Sequence, residues 1–79
     1  MTNLQKLTKS FSNALMIDED KITNSLKYQS IPEWDSVSHM VLITELEDQF
    51  DITLETDDVI NMSSVEKAKE IISKFNIQF

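Results

Sequence analysis

Seventy-nine residues with 41% apolar content and no cysteine predict one small domain over 1–79, whose core stands without disulfides or thiolate-held metal. Glycine and arginine are both absent and the formal charge is −7; this excludes glycine-built phosphate loops and disfavours nucleic acid, while suiting basic protein partners. No apolar run approaches the length of a membrane span and no cleavable signal segment opens the chain, so a soluble, cytoplasmic protein without membrane insertion is expected.

The first helix reads over residues 2–15. Leu4, Leu7, Phe11, Ala14 and Leu15 recur at helical spacing, and Thr2 with Gln5 predicts a capping box. Residues 16–35 read as a mostly irregular connection, with Ile31-Pro32 forcing an extended step before the next element. A bare connection of this length sits poorly in a compact domain. Ile17, Ile22, Leu26, Tyr28 and Ile31 are therefore expected to pin it to the core, with a short turn at 22–26. Asp18-Glu19-Asp20 opens like a calcium loop, but Ile22, Thr23 and Gln29 occupy its fifth, sixth and twelfth positions. The turn glycine and the bidentate glutamate are both missing, which leaves a solvated turn.

The second helix is expected over 36–50, about 22 Å long and capped by Asp35 or Ser36. A short acidic helix follows, with Thr56 as its cap and Asp57 and Asp58 in the first turn, where carboxylates suit the helix dipole. Ser63-Ser64-Val65-Glu66 announces the last helix as a capping box, and Val65, Ala68, Ile71, Ile72 and Phe75 carry its inward stripe. The predicted class is all-α: a four-helix bundle of three long helices and one short one, with a long loop between the first and second.

Placing residues of the second helix at about 100° each puts His39, Leu42, Ile43, Leu46 and Phe50 on one buried stripe. Val37, Val41, Thr44, Glu45 and Asp48 lie opposite, with Met40 and Glu47 flanking the direction of Ser36. An outward face mixing valines and a methionine with carboxylates has two explanations. The preceding loop folds over it, or it is a docking face on which acids steer a basic partner and the apolar groups supply contact area. Charge favours docking: from Tyr28 to Glu66 there is no lysine, and all seven lysines lie outside that stretch.

Trp34-Asp35-Ser36-Val37-Ser38-His39-Met40, followed by Leu46-Glu47-Asp48-Gln49-Phe50-Asp51-Ile52, resembles the acyl carrier protein family. The family's attachment motif is usually Asp-Ser-Leu at the start of the second helix; here it reads Asp35-Ser36-Val37. The resemblance spans nearly the whole chain and includes the acidic short helix and the Met62-Ser63-Ser64-Val65 opening of the last. It implies a fold of acyl-carrier type and a non-catalytic shuttle. Ser36 would carry 4′-phosphopantetheine, taken from coenzyme A by a separate phosphopantetheinyl transferase, and Asp35 would belong to the motif that this enzyme reads. A helix-start phosphodiester suits free amides and the positive dipole end. The arm's thiol would hold the acyl group, in fatty-acid, polyketide or other specialised metabolism, which agrees with a chain lacking cysteine.

The expected partner face is Val37, Met40, Val41, Glu45, Glu47, Asp48, Asp57 and Asp58. The resemblance matches Glu47 and Asp48 to acids that meet basic patches on the family's enzymes, and implies acyl-loading and acyl-transferring partners and a monomer. Val41 departs from the family, where an acid is common. Trp34 and His39 match a Trp-Asp-Ser-Leu-x-His variant of stand-alone carriers. Trp34 is expected as a lid over the core edge, and His39 as a packed, hydrogen-bonded side chain. Leu46, Leu54, Val59, Ile60, Met62 and Ala68 are expected to line an interior that shelters a short acyl chain or simply forms the core.

Three rival readings share part of this pattern. A Ser36–His39 nucleophile and base would need an oxyanion loop and a cleft that this chain is ill-equipped to build. An acidic helical interaction domain without a prosthetic group shares every feature except the use of Ser36. An aminoacyl or peptidyl carrier differs chiefly in being less acidic.

Overall fold

Thr2 opens the fold as a reciprocal cap. Its hydroxyl accepts from the Gln5 N–H at 3.1 Å, and the Gln5 side chain accepts from the Thr2 N–H at 2.8 Å. Helix α1 then runs Asn3–Leu15 in the computed structural model, which describes all 79 residues. It buries Leu7, Phe11, Ala14 and Leu15, with Ser10 folded back onto the Lys6 carbonyl. Leu4 shares the stripe but stands at the open end of the helix and is nearly half exposed, contrary to its expected place in the core.

The connection carries one 3₁₀ turn, Glu19–Lys21, at the acidic run read as a solvated turn; the turn at Leu26 is closed by its N–H on the Thr23 carbonyl at 3.1 Å. Ile17, Ile22, Leu26, Tyr28 and Ile31 pack against the core from outside, which fastens the loop. Trp34 goes further inward than expected. It is fully buried, with its ring edge-to-face on Phe11 at 5.3 Å and on Tyr28 at 6.1 Å. It is a core residue and not a lid, because aromatic partners from α1 and from the loop close over it.

Helix α2 spans Ser36–Phe50 with Asp35 as its cap, and Leu42, Ile43 and Leu46 are its buried groups. Helix α3 spans Thr56–Asn61. Its cap is Glu55 and not Thr56: the Asp58 carboxylate accepts from the Glu55 N–H at 3.3 Å and Val59 N–H reaches the Glu55 carbonyl at 3.0 Å, so Thr56 is already helical. Helix α4 spans Val65–Ser73. The Ser63–Glu66 capping box does not form. Ser63 instead gives its carbonyl to the Tyr28 N–H at 2.9 Å, in a short antiparallel pairing with the loop that also joins Val65 N–H to the Leu26 carbonyl at 3.0 Å. Ser64 is the cap, accepting from the Lys67 N–H at 2.9 Å.

After Ser73 the backbone tightens into three-residue turns and Asn76 takes a left-handed φ of 64°. The tightening at Lys74 and Phe75 goes with a Phe75 that is exposed and off the inward stripe, while beyond Asn76 Ile77 packs on the core.

Side-chain contacts fix the directions. Asn3 at the start of α1 donates to the Gln78 carbonyl at 2.9 Å, and Phe79 lies against Phe50 at 5.9 Å, so the start of α1 meets the end of α2. At the other end Phe11, Trp34 and Tyr28 meet where α2 and α4 begin. Helix α1 is therefore antiparallel to α2 and α4. Each fully buried Leu, Ile or Phe in this layer contributes about 1.5–3 kcal/mol.

Candidate attachment site and docking face

Ser36 is the first residue of α2, and its placement follows from the residue before it. Asp35 is extended, with φ −111° and ψ −173°, and its Oδ1 accepts from the Ser38 N–H at 2.9 Å while its carbonyl closes the first turn on His39 N–H at 2.9 Å. The Ser38 backbone amide is the main cause that holds the Asp35 carboxyl below its ordinary 3.8; desolvation opposes it, and the Ser38 hydroxyl and the Val37 and Asp35 amides add to the lowering. The carboxylate is thus turned onto the helix end, and Ser36 is left exposed with its hydroxyl free of any partner in the chain. The Ser36 amide has no carbonyl to bond in the first turn, and the Val37 amide is turned toward the Asp35 carboxylate.

A phosphodiester on Ser36 fits this geometry. The oxygen that would bear it faces solvent, the Ser36 N–H lies nearby, and the positive end of a 15-residue helix points the same way.

The face running from Ser36 along α2 is open. Val37, Met40 and Val41 are 72%, 57% and 46% exposed, so the loop does not cover them. On α3, Ile60 is 73% exposed and does not line the interior as expected, because it stands about 100° round the helix from Val59, the residue that packs on the core. Asp48 and Asp57 are exposed. Two other carboxylates of the predicted partner set are engaged in the fold. Glu47 Oε2 accepts from the Leu54 N–H at 2.8 Å, fastening the α2–α3 connection. Asp58 takes the Glu55 N–H and stands 4.0 Å from Lys74 Nζ. Glu45 is half-buried.

Leu46, Leu54, Met62 and Ala68 meet in the core with Val59 against them. No cavity opens among them. The two grooves of the molecule lie elsewhere, one of about 330 Å³ lined by Ile17, Lys21, Leu26, Ile31 and Glu33, the other at the C-terminal end. His39 is packed and hydrogen-bonded, as its place on the inward arc implies: Trp34 Nε1–H donates to its Nδ1 at 3.0 Å, and its Nε2 lies 2.9 Å from the Val59 carbonyl oxygen. The bridge to α3 was not foreseen, since nothing local pairs His39 with a backbone oxygen twenty residues on. No group of His, Asp or Glu side chains is placed to hold a metal ion.

The fold is all-helical, with a free serine at the first residue of its second helix, and comparison with known proteins bears on its class directly. No family model matches the chain. It is 34% identical over 67 residues to an acyl carrier protein of Lactobacillus johnsonii, an alignment that covers 85% of this chain and 84% of that protein. It is 30% identical over 77 residues to an acyl carrier protein of Buchnera aphidicola, covering 96% and 98%. The chain belongs to the acyl carrier protein family. Membership carries a general role in carrying acyl groups, a phosphopantetheine group in general terms, and dealings with acyl-handling enzymes. No helix is long and apolar enough to cross a membrane.

Proposed function

We propose that Ser36 is the attachment point of 4′-phosphopantetheine and that the chain carries acyl intermediates as thioesters at the end of that arm, for fatty-acid, polyketide or other specialised acyl metabolism. The observation that carries this reading is an exposed, unbonded hydroxyl at the first residue of α2, in a chain of this family. When bound, the group supplies a thiol that holds the acyl chain as a reactive thioester.

The chain's own contribution is position and charge. Ser36 Oγ forms the new bond to the phosphorus nearest the pantetheine, the phosphorus–oxygen bond to the adenosine bisphosphate breaks, and the hydroxyl proton passes to a base of the transferase. Asp35, held on the Ser38 amide, keeps the first turn of α2 in place and its own negative charge occupied. The Ser36 amide and the positive end of α2 would favour the phosphodiester anion. Val37, Met40 and Val41 form the apolar part of the docking face, and Asp48 and Asp57 the acidic part that attracts basic enzymes. We further take residues 1–79 as one carrier domain acting as a monomer in the cytoplasm.

Co-expression with a broad-specificity phosphopantetheinyl transferase, followed by intact mass measurement, tests the assignment. The expected result is one added phosphopantetheine, absent in Ser36→Ala. An unmodified mass with several competent transferases would leave an acidic interaction bundle as the better reading.

A further inference from the structure

His39 joins three parts of the fold, and carriage of an acyl group on Ser36 makes no use of it. An indole N–H can only donate, so the 3.0 Å contact from Trp34 Nε1 makes His39 Nδ1 the unprotonated nitrogen. A carbonyl oxygen can only accept, so Nε2, 2.9 Å from the Val59 oxygen, carries the hydrogen. The two partners together dictate one neutral tautomer. The ring is also wedged, with Trp34 stacked on it at 6.1 Å and Tyr28 tilted against it at 5.1 Å.

What this ring holds is the least anchored helix of the molecule. Helix α3 has six residues and none of them is buried. A helix that short does not persist on its own in water. Its flanks are pinned by buried Leu54 and Met62, but along its own length only Val59 and Asp58 are even half-buried. The carbonyls of its last turn have no helical partner, and Val59's is one of them; His39 supplies the missing donor. The other polar tie from outside the helix is the 4.0 Å approach of Lys74 to Asp58, a pair whose lysine is largely in solvent and adds little.

We propose that His39 is a positioning residue that caps the end of α3 and so holds that helix against the Ser36 end of α2, closing the interior of Leu46, Leu54, Met62 and Ala68. Trp34 serves it by fixing the tautomer that aims a hydrogen at Val59. The consequence for an acyl group entering beneath α3 rests on the carrier reading of Ser36; the latch itself does not.

The test uses the purified, unmodified full chain. The imidazole ¹⁵N spectrum is expected to show a single Nε2–H ring; an Nδ1–H ring, or a mixture of tautomers, would overturn the proposal. Amide exchange is then compared in two variants. In His39→Asn the side-chain oxygen still reaches Trp34 but the amide falls short of Val59, and exchange at Val59, Ile60 and Asn61 is expected to quicken about tenfold while α1 stays within about twofold. In His39→Gln the longer amide donates to Val59 and restores most of the protection. Unchanged α3 exchange in the asparagine variant would sink the idea, as would an equal loosening of every helix that glutamine fails to repair. Should a variant not fold, the parent's ring spectrum still decides. Because no modification is involved, a failed latch and a failed carrier assignment give separate results.

Discussion

At Asp35 one carboxylate does two things: it caps α2 and it places its charge on the first-turn amides. Both depend on ionisation, because only the carboxylate accepts strongly from the Ser38 N–H. The native state holds this group below its ordinary 3.8, so the folded chain gives up the proton more readily than the unfolded chain does. Above pH 3.8 the ionised cap therefore contributes in full, and the contribution is lost as pH falls from there through the lower folded value. Denaturant midpoints of the parent and of Asp35→Ala should differ by a constant amount from about pH 5 to 7, with the difference closing below 3.8. A gap that persists undiminished at about pH 2 would show that the charge is not what caps the helix. The sequence narrows this cap to Asp35 or Ser36 and gives the Thr2–Gln5 box and the stop at Phe50 outright, because the partners lie within four residues. At Thr56 and Ser63 adjacent residues compete for the same role, and the fold selects Glu55 and Ser64. Trp34 was misjudged for a different reason. It sits in a loop, and its burial is decided by Phe11, Tyr28 and His39, which the fold and not the local sequence brings to it.

Helix α2 as an element has three directions: an inward stripe, an open apolar face beside Ser36, and carboxylates that divide by what they touch. Glu47 and Asp48 are neighbours in sequence and look interchangeable there. Glu47 is bonded to the Leu54 N–H, while Asp48 is exposed. Replacing Glu47 by lysine removes the acceptor of a part-buried amide and should lower stability by about 1–3 kcal/mol in urea unfolding. Asp48→Lys should stay within about 0.5 kcal/mol of the parent, as surface changes do. Its effect belongs to association: modification by the transferase should slow at about 10 mM salt and recover toward the parent rate at about 150 mM. Equal stabilities for the two variants would show that the Glu47 bond does not hold the α2–α3 connection. Equal modification rates at low salt would remove Asp48 from the docking face. At this scale the pattern of α2 was visible from spacing alone, since its 15 residues repeat the helical period several times. Helix α3 was not so well placed. With six residues it offers fewer than two turns of pattern, so its cap fell one residue late and Ile60 was put inside.

Across the whole molecule fourteen acids face seven lysines, and only two ion pairs form, Lys67 with Glu70 and Lys74 with Asp58. The lysine-free stretch from Tyr28 to Glu66 contains α2 and α3 entire, so the excess negative charge is concentrated on these two helices and their flanks. The molecule measures 31 × 27 × 20 Å. At about 10 mM salt the screening length is roughly 30 Å, so nearly every carboxylate feels every other; at about 150 mM it is roughly 8 Å and only neighbours remain coupled. Self-repulsion therefore falls with added sodium chloride, and the folded state, which holds the charges closest, gains most. If the relief amounts to about 1 kcal/mol, the melting midpoint at pH 7 should rise by roughly 4–8 °C between those two salt concentrations. Near the isoelectric point of about 4.4 the net charge vanishes and the same addition of salt should move the midpoint little. A midpoint that ignores salt at pH 7, or that climbs equally at both pH values, would mean that this acidic region is not under electrostatic stress. The attraction it offers a basic enzyme would then be local to Asp48 and Asp57 and not a property of the field.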